Sequence, residues 1–234
     1  MGRISKISEA NLKHRVMKML ALRDGYLKDI DNCHIKVQKG NAKTGKDCWT
    51  ISLIPIADCH NCDQCRQDCY DLRNVCFQPA VQNDRAKNSA LHKADRSRYW
   101  NEILTQIRTH NISFLRLNVG GDLDKEDFPY IEAIADVCKD TSVLFFTKNY
   151  KGINEFLSKH TFPKNVHPIL SAWDGMQMDN PHNLPCSHVL WEDGTTTAPN
   201  YGAYYCGGNC SDCAHNGEGC WTLKHGEHVI FKAH

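Results

Sequence analysis

Apolar residues recur at helical spacing in some stretches of the chain and in short continuous runs in others. Leu12, Val16 and Met19 follow the helical period and predict a helix over residues 9–23. The same period predicts a long helix over 84–109, a helix from the cap residue Asp124 to about residue 138, and a short helix over 153–159. Apolar runs predict strands at 49–54, 113–119, 142–147, 167–172, 187–191 and 228–232.

The succession of strands and helices after residue 48 predicts an α/β fold, because parallel strands need helical crossovers between them. Five or six mostly parallel strands are too few for a closed eight-stranded barrel. We therefore predict a partial (β/α) barrel, with an open sheet as the alternative, and in both folds ligands gather at the carboxyl ends of the strands. Residues 48–234 would form this unit, with a cysteine-rich segment near each of its ends.

Residues 1–47 are predicted to form an N-terminal extension made of the first helix and part of a hairpin. The hairpin would pair residues 34–38 with residues 49–54, because the polar stretch between them contains Gly40 and Gly45 and is typical of a turn.

Cysteine content changes the picture, because the chain has 13 cysteines in 234 residues. Their odd number and the polar residues 1–6, which lack the apolar core of a secretion signal, argue against a disulfide framework. Nine of the cysteines fall into two groups, at 59–76 and at 206–220. This clustering favours metal ligation, and a reduced, cytoplasmic protein.

Cys59, Cys62, Cys65 and Cys69 have the spacing C-x2-C-x2-C-x3-C, which bacterial ferredoxins use to hold 4Fe–4S clusters. We therefore predict a 4Fe–4S cluster in this loop, with structural zinc as the weaker alternative.

The second group contains Cys206, Cys210, Cys213 and Cys220, and its spacing suits an iron–sulfur cluster and a structural zinc ion equally well. The chain could thus hold one 4Fe–4S cluster or two. Cys138 is interpreted as a core residue, the role of Cys76 is open, and the remaining cysteines have no partner at ligand spacing: Cys33, Cys48 and Cys186.

A glycine–glycine–aspartate turn closes the predicted strand at 113–119. Gly120 and Gly121 would let a ligand approach the backbone, and Asp122 could accept a hydrogen bond from its amine. The alternative is an ordinary strand–helix turn. Ser171 and Asp174 lie at the end of another predicted strand and are candidates for binding ligand hydroxyls.

Four parts of the sequence carry a resemblance to a known family: Cys65-x3-Cys69-Tyr70, Arg116…Gly121-Asp122, Phe145-Phe146-Thr147-Lys148, and Cys206…Cys210-x2-Cys213…Cys220-Trp221. Over roughly residues 51–234 the chain resembles the gene product eighty-eight family of phage proteins. The resemblance implies an iron–sulfur protein related to the radical S-adenosylmethionine (SAM) fold, in the host cytoplasm, and implies no particular reaction.

In the radical SAM fold a cluster loop precedes an amine-binding Gly-Gly-Glu turn by one βα unit. The resemblance therefore implies that SAM could bind beside Asp122, which stands where a glutamate is expected. The C-x3-C-x2-C order of radical SAM enzymes occurs here at Cys206, Cys210 and Cys213.

Three functional hypotheses follow. The first is an enzyme whose cluster has an open iron for SAM or another small ligand. The second is an electron-transfer or cluster-stabilised binding protein with every iron capped by cysteine, and the third is a zinc-stabilised interaction module. The expected partner is a small molecule or an electron donor. Charges are evenly mixed, with a net charge of +1, and no stretch is apolar enough to span a membrane, which argues against nucleic-acid and membrane binding.

Overall fold

A computed structural model describes residues 5–41, 44–199 and 202–233 of the chain. Its helices are α1 (Glu9–Leu27), α2 (Tyr70–Val75), α3 (Pro79–Ala94), α4 (Arg96–His110), α5 (Phe128–Val137), α6 (Tyr150–Leu157) and α7 (Cys210–Asn216). Its strands are β1 (Cys48–Ile51), β2 (Phe114–Leu117), β3 (Ser142–Thr147), β4 (Val166–Ser171), β5 (Cys186–Leu190), β6 (Ala203–Tyr205) and β7 (His228–Lys232). The prediction of an α/β fold is confirmed.

The strands form one sheet in the order β1-β2-β3-β4-β5-β7-β6, and every neighbouring pair is parallel. The first five strands follow chain order, so each crossover moves one position in the same direction. Among the described residues the edge strands β1 and β6 do not pair, and the sheet is open. The sheet has seven strands where five or six were predicted, because the three-residue β6 lacks an apolar run that the sequence could reveal.

The two faces of the sheet have different coverings. Ile51, Leu115, Phe145 and Leu170 belong to one hydrophobic core with residues of α4, α5 and α6. The opposite face is covered only toward the amino ends of the strands, where Cys48, Phe114, Leu144 and Ile169 pack against the C-terminal cysteine segment. Toward the carboxyl ends this second face carries polar side chains. The period-two alternation of strands therefore leaves a space lined by Thr50, Arg116, Lys148 and Ser171.

The prediction of an N-terminal hairpin is wrong. Residues 34–38 form no strand, and only an isolated antiparallel bridge joins Gln38 to Thr50. Side chains from α3 and α4 take up the backbone hydrogen bonds that a partner strand would have made. Glu102 accepts from Ile35 N at 3.0 Å, Asn88 accepts from Lys36 N at 3.1 Å, and Gln106 accepts from Val37 N at 2.9 Å.

The single long helix predicted over 84–109 is two helices, α3 and α4. Asp95 separates them with an extended backbone, and its side chain accepts a hydrogen bond from Arg98 N at 2.9 Å as the N-cap of α4. The apolar period continues across Asp95, so periodicity alone does not reveal the break. No helix in the described part of the chain is long and apolar enough to cross a bilayer.

Candidate metal centre

The first cysteine loop follows β1 at the carboxyl edge of the sheet, where three contacts fix it. Asp58 Oδ2 accepts a hydrogen bond from Ile54 N at 2.8 Å, which closes the turn before the first cysteine. His60 Nε2 lies 2.7 Å from Asp124 Oδ1, and Asn61 Nδ2 donates to Lys148 O at 2.7 Å. The loop is thereby tied to the segments that follow β2 and β3, as predicted for a site at this edge.

The four cysteines of the loop are close to one another but differ in their surroundings. Cys59 Sγ accepts from Ile56 N at 3.1 Å, and Cys69 Sγ caps α2 by accepting from Leu72 N at 3.4 Å. Burial raises the pKa of Cys69 to about 12, so it is protonated when no metal is bound. Burial also raises the pKa of Cys59, Cys62 and Cys65. A bound metal would therefore have to displace protons from all four thiols.

A cavity of about 940 Å³ lies between this loop and the C-terminal cysteine segment, over the polar half of the sheet face. Cys59, Cys62 and Cys65 line it, whereas Cys69 and Cys76 do not. Much of the rest of the wall is aromatic, from Trp173, Trp191, Tyr204, Trp221 and Phe231. Its volume and lining are those of a small-molecule site.

The C-terminal cysteines run from the carboxyl end of β6 to the amino ends of β1 and β2. All four of them line the cavity: Cys206, Cys210, Cys213 and Cys220. The segment is anchored by Trp221, whose ring contacts Phe114 at the start of β2 with centroids 5.4 Å apart and whose Nε1 donates to Cys210 O at 2.9 Å. The structure thus brings cysteines of both groups to one cavity.

The spread of the sulfurs allows a test of which metal group the cysteines fit. Thiolates 2.3 Å from a tetrahedral zinc ion lie about 3.8 Å apart. In the described part of the chain no three cysteine sulfurs lie within 4.8 Å of one another. The cysteines are therefore not arranged around a tetrahedral single-ion site. A set of four thiols at ferredoxin-like spacing is a donor set that a 4Fe–4S cluster takes.

Three non-cysteine groups do lie within 4.8 Å of one another: His92, Asp124 and Asp127. Their oxygens and nitrogens already have partners. His92 Nε2 is 2.8 Å from Asp127 Oδ1, Trp100 Nε1 donates to the same oxygen at 2.9 Å, and the Arg96 guanidinium pairs with Asp124 and Asp127. The Arg96 guanidinium therefore supplies the positive charge of this cluster. The cluster holds α3, α4 and the start of α5 together.

Asp122 lines the cavity but already holds the sheet edge together. Its Oδ1 accepts from Leu123 N and its Oδ2 accepts from Lys148 N, each at 2.8 Å, and Thr147 adds a side-chain bond. Burial raises the pKa of the carboxyl group, against the effect of these donors. The carboxylate thus joins the ends of β2 and β3, which is the ordinary-turn alternative for this residue.

We expect Asp122→Asn to lower the free energy of unfolding by about 1–3 kcal/mol, because the amide NH₂ would face a backbone N–H that now has an acceptor. Urea denaturation of the metal-free protein measures this. Asp174→Asn is the matched control at another strand end and should change stability less. Equal stability of wild type and Asp122→Asn would contradict the structural role.

The two glycines before Asp122 also have packing reasons. A Cβ on Gly120 would collide with the buried carboxylate of Asp71 and the guanidinium of Arg85. Gly121 has a φ of 81°, and its Cβ would lie 2.7 Å from Leu53 Cβ. Both glycines are therefore required by close packing against β1 and α3, whether or not a ligand is bound.

The other two predicted ligand-binding residues, Ser171 and Asp174, lie in different positions relative to the cavity. Ser171 lines the cavity at the end of β4. Asp174 is outside the cavity wall, and its Oδ2 accepts from Trp191 Nε1 at 3.1 Å. Ser171 is brought together with the cysteines and Asp122, and Asp174 serves to orient a wall residue.

Comparison with known families identifies the chain through most of its length. The model of the family described as gene product 88 matches residues 26–221. The chain belongs to this family. No curated protein and no solved structure matches it.

In this gene product 88 protein, two of the cations that line the cavity, Lys148 and Arg116, lie beside cysteines. Lys148 lies 5.8 Å above the Trp173 ring, near the thiols of Cys65 and Cys59. Arg116 lies 4.9 Å from the Phe146 ring, and its Nη1 donates to Cys210 Sγ at 3.4 Å. Within the described residues neither cation lies within 4.0 Å of a carboxylate. Each cysteine group therefore has one cation beside it.

Cys48 is a residue that sequence reasoning missed. It had no partner at ligand spacing, yet the fold places it at the amino end of β1, fully buried and in one packed cluster with Cys210 and Cys213. The nearby Cys48 thiol lowers the pKa of Cys210 to about 6, with Arg116 acting in the same direction against burial. The available signal was the period of β1, which puts Cys48 and Thr50 on the same sheet face.

Proposed function

We propose that this gene product 88 protein is a cytoplasmic 4Fe–4S protein and that it binds a small molecule beside the cluster. Cys59, Cys62, Cys65 and Cys69 would hold the cluster. The cluster would supply an electron to the bound molecule or exchange one with a partner. The protein itself would bind the ligand, orient it and exclude water.

One observation carries this proposal: three cysteines of the ferredoxin-like loop line a ligand-sized cavity at the carboxyl edge of a parallel sheet. A protein that only transfers electrons needs no such space next to its cluster. The cavity also brings Ser171, Trp173 and Lys148 to the same place, which gives a ligand hydrogen-bonding, stacking and charged contacts.

The position of the fourth cysteine favours an enzyme over a fully capped electron carrier. Cys69 lies outside the cavity wall as the N-cap of α2, whereas Cys59, Cys62 and Cys65 face the cavity. In the enzyme, these three cysteines alone would bind the cluster, and its fourth iron would be open to a substrate. The fully capped carrier remains the second candidate, because the spacing supplies four thiols.

SAM is the ligand to test first, since the chain order of cluster loop, helix, strand and Gly-Gly-acid turn resembles that of radical SAM proteins. We include in this proposal the finer assignment to that fold as a partial barrel. The open sheet has α4, α5 and α6 on one face and the cavity on the other. Asp122 would be the residue to accept from the amine of SAM, because it lines the cavity.

The experiment is anaerobic purification after growth with ample iron, followed by iron, acid-labile sulfide and zinc analysis. We expect a brown protein with at least four irons per chain and an electron paramagnetic resonance (EPR) signal on reduction. SAM is then titrated into the reduced protein. A change in the EPR signal supports an open iron, and an unchanged signal with a full cluster supports the electron carrier. Zinc in place of iron overturns the proposal.

A further inference from the structure

The two cysteine groups are anchored to different parts of the fold. The first loop is hydrogen-bonded to the segments after β2 and β3. The start of α7, which carries Cys210, is hydrogen-bonded to the segment before β1, where Ser211 N donates to Thr44 O at 2.8 Å and Asp47 N donates to Ser211 Oγ at 3.3 Å. β1 spans about 10 Å between these two anchoring segments. The different anchors favour a separate site for the C-terminal cysteines.

Cys210 is distinguished within the C-terminal group by the donors around its sulfur. Arg116 Nη1 donates to it at 3.4 Å, and Cys48, on the neighbouring strand β1, packs in the same buried cluster. By contrast, Cys206 Sγ accepts from the backbone of Gly208 at 3.4 Å. A cationic donor held against one sulfur indicates that this sulfur carries negative charge.

The remaining atoms of Arg116 strengthen this interpretation. Its Nε is buried without a hydrogen-bond partner, and its guanidinium lies against Phe146. The Arg116 side chain is partly buried, and a desolvated cation without a carboxylate partner is costly unless another anion balances it. The sulfur in contact with the guanidinium is that of Cys210. A metal centre bound by four thiolates would supply the balancing charge permanently.

Resting on the proposed function, we propose that Cys206, Cys210, Cys213 and Cys220 hold a second, separate iron–sulfur centre, and that Arg116 and Cys48 raise its reduction potential by donating hydrogen bonds to Cys210. Reduction adds one electron and therefore negative charge to the centre. A nearby cation and hydrogen bonds to a ligand sulfur stabilise that charge, which makes reduction more favourable.

Cys48 is assigned as a donor because its position differs from that of the ligands. The four proposed ligands lie within one segment near the C-terminal end of the sequence, over residues 206–220. Cys48 packs in the same buried cluster as Cys210, Cys213 and Cys220, but it is held by the backbone of strand β1. Cys48 therefore orients and polarises one ligand and is a positioning residue.

The test is a redox titration of the iron-loaded protein followed by EPR. In Arg116→Gln we expect the C-terminal centre to become harder to reduce, with about a tenfold lower ratio of reduced to oxidised centre at a fixed potential, or about 59 mV for one electron. The centre in the first loop should keep its potential and serves as the internal reference. Cys48→Ala should shift the C-terminal centre in the same direction, and it tests the proposal if Arg116→Gln does not fold.

Cys48→Ser tests whether Cys48 acts as a hydrogen-bond donor or as an iron ligand. A serine hydroxyl still donates a hydrogen bond but is a poor iron ligand, so we expect full iron content and a potential near that of wild type. Cys33→Ala, at a cysteine that is equally buried on the other side of the sheet, should shift nothing. Loss of iron in Cys48→Ser, or an unshifted potential in both Arg116→Gln and Cys48→Ala, would overturn the inference.

Metal analysis distinguishes the two proposals. Zinc in the C-terminal group together with an intact cluster in the first loop overturns this inference and leaves the proposed function standing. Absence of iron from the whole protein overturns the proposed function as well.

Discussion

Serine in place of Cys65 is expected to abolish the cluster of the first loop. Cys65 lines the cavity and lies near Cys62 and Cys69, so its sulfur is central to the proposed ligand set. A hard hydroxyl binds iron and sulfide clusters much more weakly than a thiolate. Iron analysis and the visible absorbance of the anaerobic protein measure the loss. If two centres are present, about half of the iron should remain.

The same substitution should lower thermal stability, because the free energy of metal binding contributes to the free energy of folding. The loop contains little regular structure of its own, only a short turn of 3-10 helix at Arg66–Asp68. The midpoint temperatures of unfolding of iron-loaded wild type and Cys65→Ser should therefore differ by more than those of the two metal-free proteins.

Cys138→Ser is the matched control for Cys65→Ser. Cys138 ends α5 and packs against the main hydrophobic core, away from the cavity. Its iron content and absorbance should match those of wild type, with at most a small loss of stability. If Cys65→Ser and Cys138→Ser retain the same iron, the first loop does not hold the cluster.

The sequence predicted those parts of the fold that depend on local patterns. Apolar runs and helical periods located β2, β3, β4 and α5 because each buries a continuous set of side chains against neighbours. The hairpin prediction failed since residues 34–38 satisfy their backbone with Glu102, Asn88 and Gln106, which are distant in sequence. Local sequence patterns cannot reveal hydrogen-bond partners that are so distant in the sequence.

In the candidate site, too, local patterns were predicted and contacts between distant residues were not. Ligand spacing selected all the cysteines that line the cavity, because the ligands of one cluster come from one short loop, and it also selected Cys69, which lies outside the cavity wall. Cys48 and Arg116 were missed, since each lies on a strand and meets Cys210 only through the fold. The position of the Gly-Gly-Asp turn was predicted correctly, but the turn packs against residues that are distant in the sequence. The sequence alone therefore cannot tell whether packing or a bound ligand requires the two glycines.

The packing role of Gly120 leads to a second large expected effect. Asp71 and Arg85 form a buried ion pair, in which Arg85 Nη2 donates to Asp71 Oδ1 at 2.8 Å, and the backbone of Gly120 lies directly against it. Gly120 O also accepts from Leu53 N at 2.9 Å, which fixes its distance from the segment after β1. A methyl group at this position must therefore displace one of the two charged side chains.

We expect Gly120→Ala to lower the free energy of unfolding by about 3–5 kcal/mol, because separating a buried ion pair leaves uncompensated charge. Urea denaturation of the metal-free protein measures this without any ligand present. Gly25→Ala is the matched control: Gly25 lies in α1 with no atom within 4 Å of an added Cβ, so the same substitution should stabilise by about 0.5–1 kcal/mol. A Gly120→Ala protein that is as stable as wild type, yet no longer binds SAM, would instead assign this glycine to the ligand.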